Sequence, residues 1–227
     1  MRNKILFALA AFTAVLLVRN LYVIFFVLGD EASQGAIWRI FEFHVPSGIL
    51  GLSGFIVATV FSMMYLFRND FRFDAIAAAI IEVSLVFAAI VLVTGSIWAR
   101  IIWGVWWAWD ARLTSMLVCW LIFAGYLMLR RAIEEPTQRA RLSAVVSIFG
   151  GIDAVIVYKS IEWYRTQHPG PVLTIRGGGG MSPGWQETMY LNLLALACLA
   201  IILVMVRMKQ EGVSREIDSL RRLAHSY

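Results

Sequence analysis

Six long apolar runs dominate this sequence, at roughly 5–28, 46–67, 75–97, 114–129, 143–158 and 188–206, each bounded by charge or by turn residues. A helix crossing a bilayer needs about 20 apolar residues, and only structures that satisfy their own backbone polar groups survive in hydrocarbon. The pattern therefore predicts an all-α, polytopic membrane protein with six transmembrane helices. Composition agrees, since 60% of the 227 residues are hydrophobic and only 15% are charged, against about 25% charged in ordinary globular chains. The same figures exclude disorder, a disulfide scaffold and a further soluble catalytic domain. The first run follows Met-Arg-Asn-Lys and lacks a small-residue cleavage site before Gly29-Asp30, so it reads as an uncleaved span.

Lysine and arginine set the expected orientation. Segments 1–4, 68–74, 130–141 and 207–227 carry 13 of the 20, whereas the alternate loops carry six: Arg39, Arg100, Arg112, Lys159, Arg165 and Arg176. The first set is expected to be cytoplasmic, with both termini inside. The net charge of +5 is then a topology signal plus a solvated tail at 207–227 following a transmembrane domain at 1–206, and nucleic acid is not an expected partner. Cys119 and Cys198 fall within spans and form no CxxC pair, so both read as packing residues. Arg19, Glu82 and Asp153 also fall within spans, where a mutual ion pair or network is expected in preference to a proton pathway.

With that orientation, eight of nine tryptophans belong to the outer side: Trp38, Trp98, Trp103, Trp106, Trp107, Trp109, Trp163 and Trp185. An aromatic belt would populate both interfaces. The densest stretch, WARIIWGVWWAWDARLTS at 98–115, places Trp103, Trp106, Trp107 and Asp110 at i, i+3, i+4 and i+7. That spacing predicts an interfacial helix on the outer face, with an apolar platform suited to a planar conjugated ligand. Two of the three histidines share this side. His44 precedes Val45-Pro46 at the mouth of span two, and His168 lies in the last outer loop. Two histidines make a poor closed zinc site but a complete axial pair for haem iron. Arg100, Arg112, Arg165 and Arg176 are candidates to clamp the propionates, and Asp110 is expected to cap a helix or pair with an arginine.

These residues resemble the CcmC type of haem-handling membrane protein of bacterial cytochrome c maturation. WGVWWAWDARLTS at 103–115 is similar to its tryptophan-rich signature, flanked in the family's order by QGAIWRIFEFHVPS at 34–47, LVTGSIW at 92–98 and YKSIEWYRTQH at 158–168. The resemblance covers most of the chain. It departs at WYRT before His168 and at Asp153, where the family usually has other residues. The resemblance implies haem b (iron protoporphyrin IX) held at the periplasmic face of the bacterial inner membrane. His44 and His168 would be the axial ligands, with Trp103, Trp106, Trp107, Trp109, Asp110 and Arg112 around the haem. It further implies delivery to a periplasmic haem chaperone, CcmE, alongside an ABC transporter of CcmA and CcmB with the small protein CcmD. The chain itself would be a binding and delivery subunit, with any ATPase activity in a partner.

Three other readings compete. A b-type electron-transfer subunit would carry its histidines mid-span, and none of the three is placed so. A transporter moving haem itself across the membrane lacks the paired broken-helix pattern of secondary transporters. A scaffold whose tryptophans merely anchor it is the third.

Overall fold

The computed structural model describes residues 2–168, 170 and 181–224. Six helices account for most of them: α1 (Arg2–Tyr22), α2 (Phe41–Arg68), α3 (Phe71–Ile102), α4 (Ala111–Ala132), α5 (Pro136–Trp163) and α6 (Pro183–Ala224). All six elements include a stretch long and apolar enough to cross a membrane, the first continuing from α1 through a π-helical turn at Val23–Val27. An isolated bridge between Glu31 and Gly35 is the extent of β pairing among the described residues. The all-α, six-span architecture is as the apolar runs predict. α6 continues to Ala224 without a break near residue 206.

Local chemistry fixes the helix ends. Asn69 adopts a left-handed conformation (φ 51°) that stops α2, and Asp70 at once caps α3 by accepting from Arg72 N at 2.8 Å. This folds α2 and α3 into a tight antiparallel pair. Glu135 caps α5 in the same way, accepting from the amides of Thr137 and Gln138, with Pro136 in the first turn. Those amides hold the Glu135 carboxyl below its usual range.

α2 is the central helix, packed against α3, α5 and α6, while α4 packs on α5 and α1 on α6. Small residues permit the close approaches. A Cβ on Gly51 would meet the backbone of Ala88 at 3.2 Å, and one on Gly150 would meet the Phe123 ring at 2.6 Å. Phe123 stacks on Phe55 with centroids 3.9 Å apart at the centre of the core, beside Ile81, Met116, Cys119 and Val157. Without a hydrophobic drive between helices in lipid, such van der Waals complementarity carries association.

Of the charged residues within the spans, Glu82 and Arg19 pair, but not with one another or with Asp153. Glu82 receives both Nε and Nη2 of Arg207, and Arg19 reaches Glu187 at 3.5 Å and Asn20 Oδ1 at 3.1 Å. Asp74 and Arg130 form a further buried two-point pair at 2.5 and 3.0 Å. Asp153 Oδ2 has no partner among the described residues, so a mutual Arg19–Glu82–Asp153 network is not formed.

The expected interfacial helix is also absent. α3 ends at Ile102, α4 begins at Ala111, and Trp103–Asp110 between them is irregular. Gly104 takes φ 77° and Asp110 is extended at φ −87°, ψ 170°, two conformations that a continuous helix does not contain. The helical spacing of the tryptophans follows from their density rather than from amphipathic periodicity.

Candidate functional site

α2 begins five residues before Pro46, at Phe41, after a 3₁₀ turn at Ala36–Ile40. His44 therefore stands in the first turn of α2, and Pro46 lies beyond it. A proline here removes the amide that would bond the Glu42 carbonyl. Asn192 of α6 supplies the missing donor through Nδ2 at 2.5 Å. The substitution ties the His44 end of α2 to α6 with a buried side chain.

Three contacts orient the His44 ring. Thr94 of α3 donates its hydroxyl to the Ile90 carbonyl at 2.6 Å, so it faces His44 Nδ1, 2.9 Å away, as an acceptor. With the hydroxyl so committed, the contact is complete in the tautomer that carries the proton on Nδ1, which leaves the Nε2 lone pair free of this bond. Gly95, one residue on, leaves room for the ring, since a Cβ there would lie 3.1 Å from His44 Cε1. Trp98 meets the ring edge-on at 5.8 Å, and donates its own Nε1–H to Gln34 Oε1 at 2.7 Å. Gln34 is held in turn by Glu31, whose Oε2 accepts from Gln34 N, Ser33 N and Ser33 Oγ. These donors, Ser33 Oγ first, keep the Glu31 carboxyl below its usual range.

His168 arrives from a different direction, on the loop that follows α5. Its ring centroid lies 6.4 Å from that of His44, with the planes inclined by 28°. The loop is fastened to the tryptophan segment by Asp110. That carboxylate caps α4 through Oδ1, accepting from Leu113 N at 2.8 Å. Its Oδ2 accepts from Thr166 Oγ1 at 2.5 Å and Gln167 N at 3.1 Å, and Thr166 Oγ1 accepts from His168 N at 3.1 Å. An open groove of about 430 Å³ lies between the two segments, lined by Trp109, Asp110, Arg165 and Thr166 among others.

The tryptophans are not equivalent. Trp103 ends α3 half-buried, with its amide on Ala99 O. Trp107 is half-buried, and its indole Nε1 has no hydrogen-bond partner among the described residues. Trp109 packs edge-on against Trp107 at 6.0 Å yet is 78% exposed. Trp106 is 60% exposed, under the Arg100 guanidinium at 6.0 Å, and its carbonyl takes the Ser96 hydroxyl. Arg112 donates to the Val157 carbonyl of α5 at 3.1 Å. Arg176 and His225 lie outside the described residues. Asp110 thus caps a helix, as one of its two expected roles, while Arg112 bonds backbone.

Thr94, Gly95, Thr166 and Glu42 escaped the sequence reading. Threonine and glycine carry no signal until a partner 50 or more residues away is known. Glu42 was visible as an acid two residues before His44, just outside the apolar run. It is 0% exposed, and neither carboxylate oxygen has a hydrogen-bond partner among the described residues. Nor do those residues gather three or more His, Cys, Asp or Glu side chains into a group that could hold a bare metal ion. Among the described residues, the imidazoles at this end of the bundle are those of His44 and His168.

Comparison with known proteins covers nearly the whole chain. A family model described as Heme exporter protein C, CcmC, matches residues 1–223. The Heme exporter protein C of Bradyrhizobium diazoefficiens is 32% identical over 218 residues, 96% of this chain and 82% of that protein. The protein of the same name from Paracoccus denitrificans is 30% identical over 196 residues, 86% of this chain and 81% of its own. That of Escherichia coli is 30% identical over 179 residues, 79% and 72% respectively. With six apolar helices, a family model matching residues 1–223 and relatives at 30–32% identity, the chain belongs to the CcmC family.

Proposed function

We propose that this protein binds haem b as cargo at the outer face of a bacterial inner membrane and hands it on during c-type cytochrome maturation. The observation that carries the reading is the His44–His168 pair, 6.4 Å between centroids. Two imidazoles bonding one metal ion from opposite sides at about 2.0–2.1 Å place their centroids about 6.3 Å apart. A porphyrin supplies the four equatorial nitrogens that the protein's two-imidazole donor set lacks. The Thr94 contact favours this use of His44, because it leaves Nε2 available. The names of the relatives, heme exporter protein C, support the same ligand.

In this reading His44 and His168 are the axial ligands, and Trp103, Trp106, Trp107 and Trp109 present aromatic surface to the porphyrin. Arg100, Arg112 and Arg165 are the described arginines on this side that would meet the propionates, and Asp110 braces the site. The exposed rings of Trp106 and Trp109 face outward, where a periplasmic chaperone of the CcmE type would collect the haem. CcmA, CcmB and CcmD are the membrane and ATPase partners that the family resemblance implies. No bond in haem is made or broken by this chain, whose work is to hold, orient and release.

The test is an absorption spectrum of the detergent-purified protein, co-expressed with the chaperone, for wild type, His44→Ala and His168→Ala. The expected result is a six-coordinate bis-histidine spectrum in wild type that either substitution alters in folded protein. Haem retained with the wild-type spectrum in both variants overturns the axial assignment. A folded wild type that takes up no haem overturns the whole reading in favour of a scaffold.

A further inference from the structure

We propose that Asp110 is a positioning residue for His168, through a hold on the loop that His44 does not share. The inference rests on the haem reading for its spectroscopic arm alone; the clamp itself is a property of the chain. One carboxylate does two jobs with two oxygens. Oδ1 starts α4 by capping Leu113 N, and Oδ2 gathers Thr166 Oγ1 and Gln167 N from a loop 56 residues further along. Thr166 Oγ1, having donated to Asp110, accepts from His168 N. A single anion thus holds Thr166 and Gln167 through charge-assisted hydrogen bonds, and His168 through the Thr166 hydroxyl.

His44 is held otherwise. Its backbone is helical, Thr94 of α3 fixes its Nδ1, and Gly95 and Trp98 border its ring. None of these groups belongs to the tryptophan segment 103–110. Val105, Trp106 and Trp109 are exposed in that segment; the Trp106 carbonyl is held by Ser96 of α3, whereas Trp109 adjoins Asp110 and through it the His168 loop. His44 stays on its helix.

Asp110→Asn separates the two jobs. An asparagine oxygen still caps Leu113 N, but its NH₂ cannot accept from Thr166 or Gln167. Amide hydrogen exchange is measured on full-length, haem-free protein in detergent. Gln167 and His168 are expected to exchange about tenfold faster or more, matching loss of a hydrogen bond to a charged group, with Leu113 unchanged. In haem-loaded protein the bis-histidine spectrum is expected to change as in His168→Ala, and added imidazole restores it. Unchanged exchange at Gln167 and His168 overturns the clamp. Haem loss that imidazole does not rescue, in folded protein, overturns the positioning role and makes Asp110 a direct haem contact. Should Asp110→Asn fail to fold, Thr166→Val removes the bridging hydroxyl without touching the cap or the Gln167 amide bond, and faster exchange at His168 decides. A wild type without haem fails the haem reading, while the exchange arm still judges the clamp.

Discussion

Because the Thr94 hydroxyl gives its one proton to the Ile90 carbonyl, His44 completes their contact only by carrying its own proton on Nδ1. Groups that orient a ligating histidine through its other nitrogen typically govern about 10–100-fold in affinity. Thr94→Val, which keeps the shape and removes the acceptor, is therefore expected to weaken haem binding by about that factor. Thr94→Ser is expected to restore it, and a haem titration of the two purified variants checks both. Equal affinity in Thr94→Val and wild type would remove the hydroxyl from the site. Histidines and tryptophans were legible in the sequence because rare residues crowd one side of the predicted topology. Thr94 and Thr166 were not, since a hydroxyl acquires meaning only from a partner brought near by folding. The same holds for Asn192, which answers the proline gap at Glu42 from 150 residues away.

Helices were legible as elements because hydrocarbon allows few alternatives to an apolar helix of sufficient length. Their ends ran further than the apolar runs suggested, since capping acids such as Asp70, Asp110 and Glu135 start helices in polar sequence. The error fell at Trp103–Asp110, where aromatic density imitated helical periodicity and Gly104 was the one local warning. How the helices meet was not legible, because contact depends on which small residues face which large ones. Gly150 shows the consequence: its missing Cβ admits Phe123 of α4, itself stacked on Phe55 of α2. Gly150→Ala is expected to cost about 1–3 kcal/mol by overpacking. Phe123→Leu is expected to cost less in the Gly150→Ala background than in wild type, a coupling that denaturant unfolding of the four proteins in detergent measures. Additive losses would mean that the ring does not feel Gly150.

The whole molecule has two chemically different ends. His44, the tryptophan segment and the His168 loop gather at one. At the other, Asp74 and Arg130 join the first turn of α3 to the last turn of α4, and Glu82 meets Arg207 of α6. The basic segments 68–74 and 130–141 belong to this second end, which the distribution of lysine and arginine assigns to the cytoplasm. Cysteine labelling decides the assignment on the intact chain. The native thiols interfere little, as Cys119 is buried and Cys198 half-buried within the apolar helices. Ala32 and Glu134 are exposed in loops at opposite ends of the bundle. Ala32→Cys is expected to react with a membrane-impermeant maleimide in intact spheroplasts, and Glu134→Cys only after permeabilisation. The reverse pattern would turn the histidine end toward the cytoplasm, and a periplasmic chaperone could then no longer reach Trp106 and Trp109. Labelling of both sites from outside would mean that the three helices between them, α2, α3 and α4, do not all cross the membrane, against the six-span reading itself.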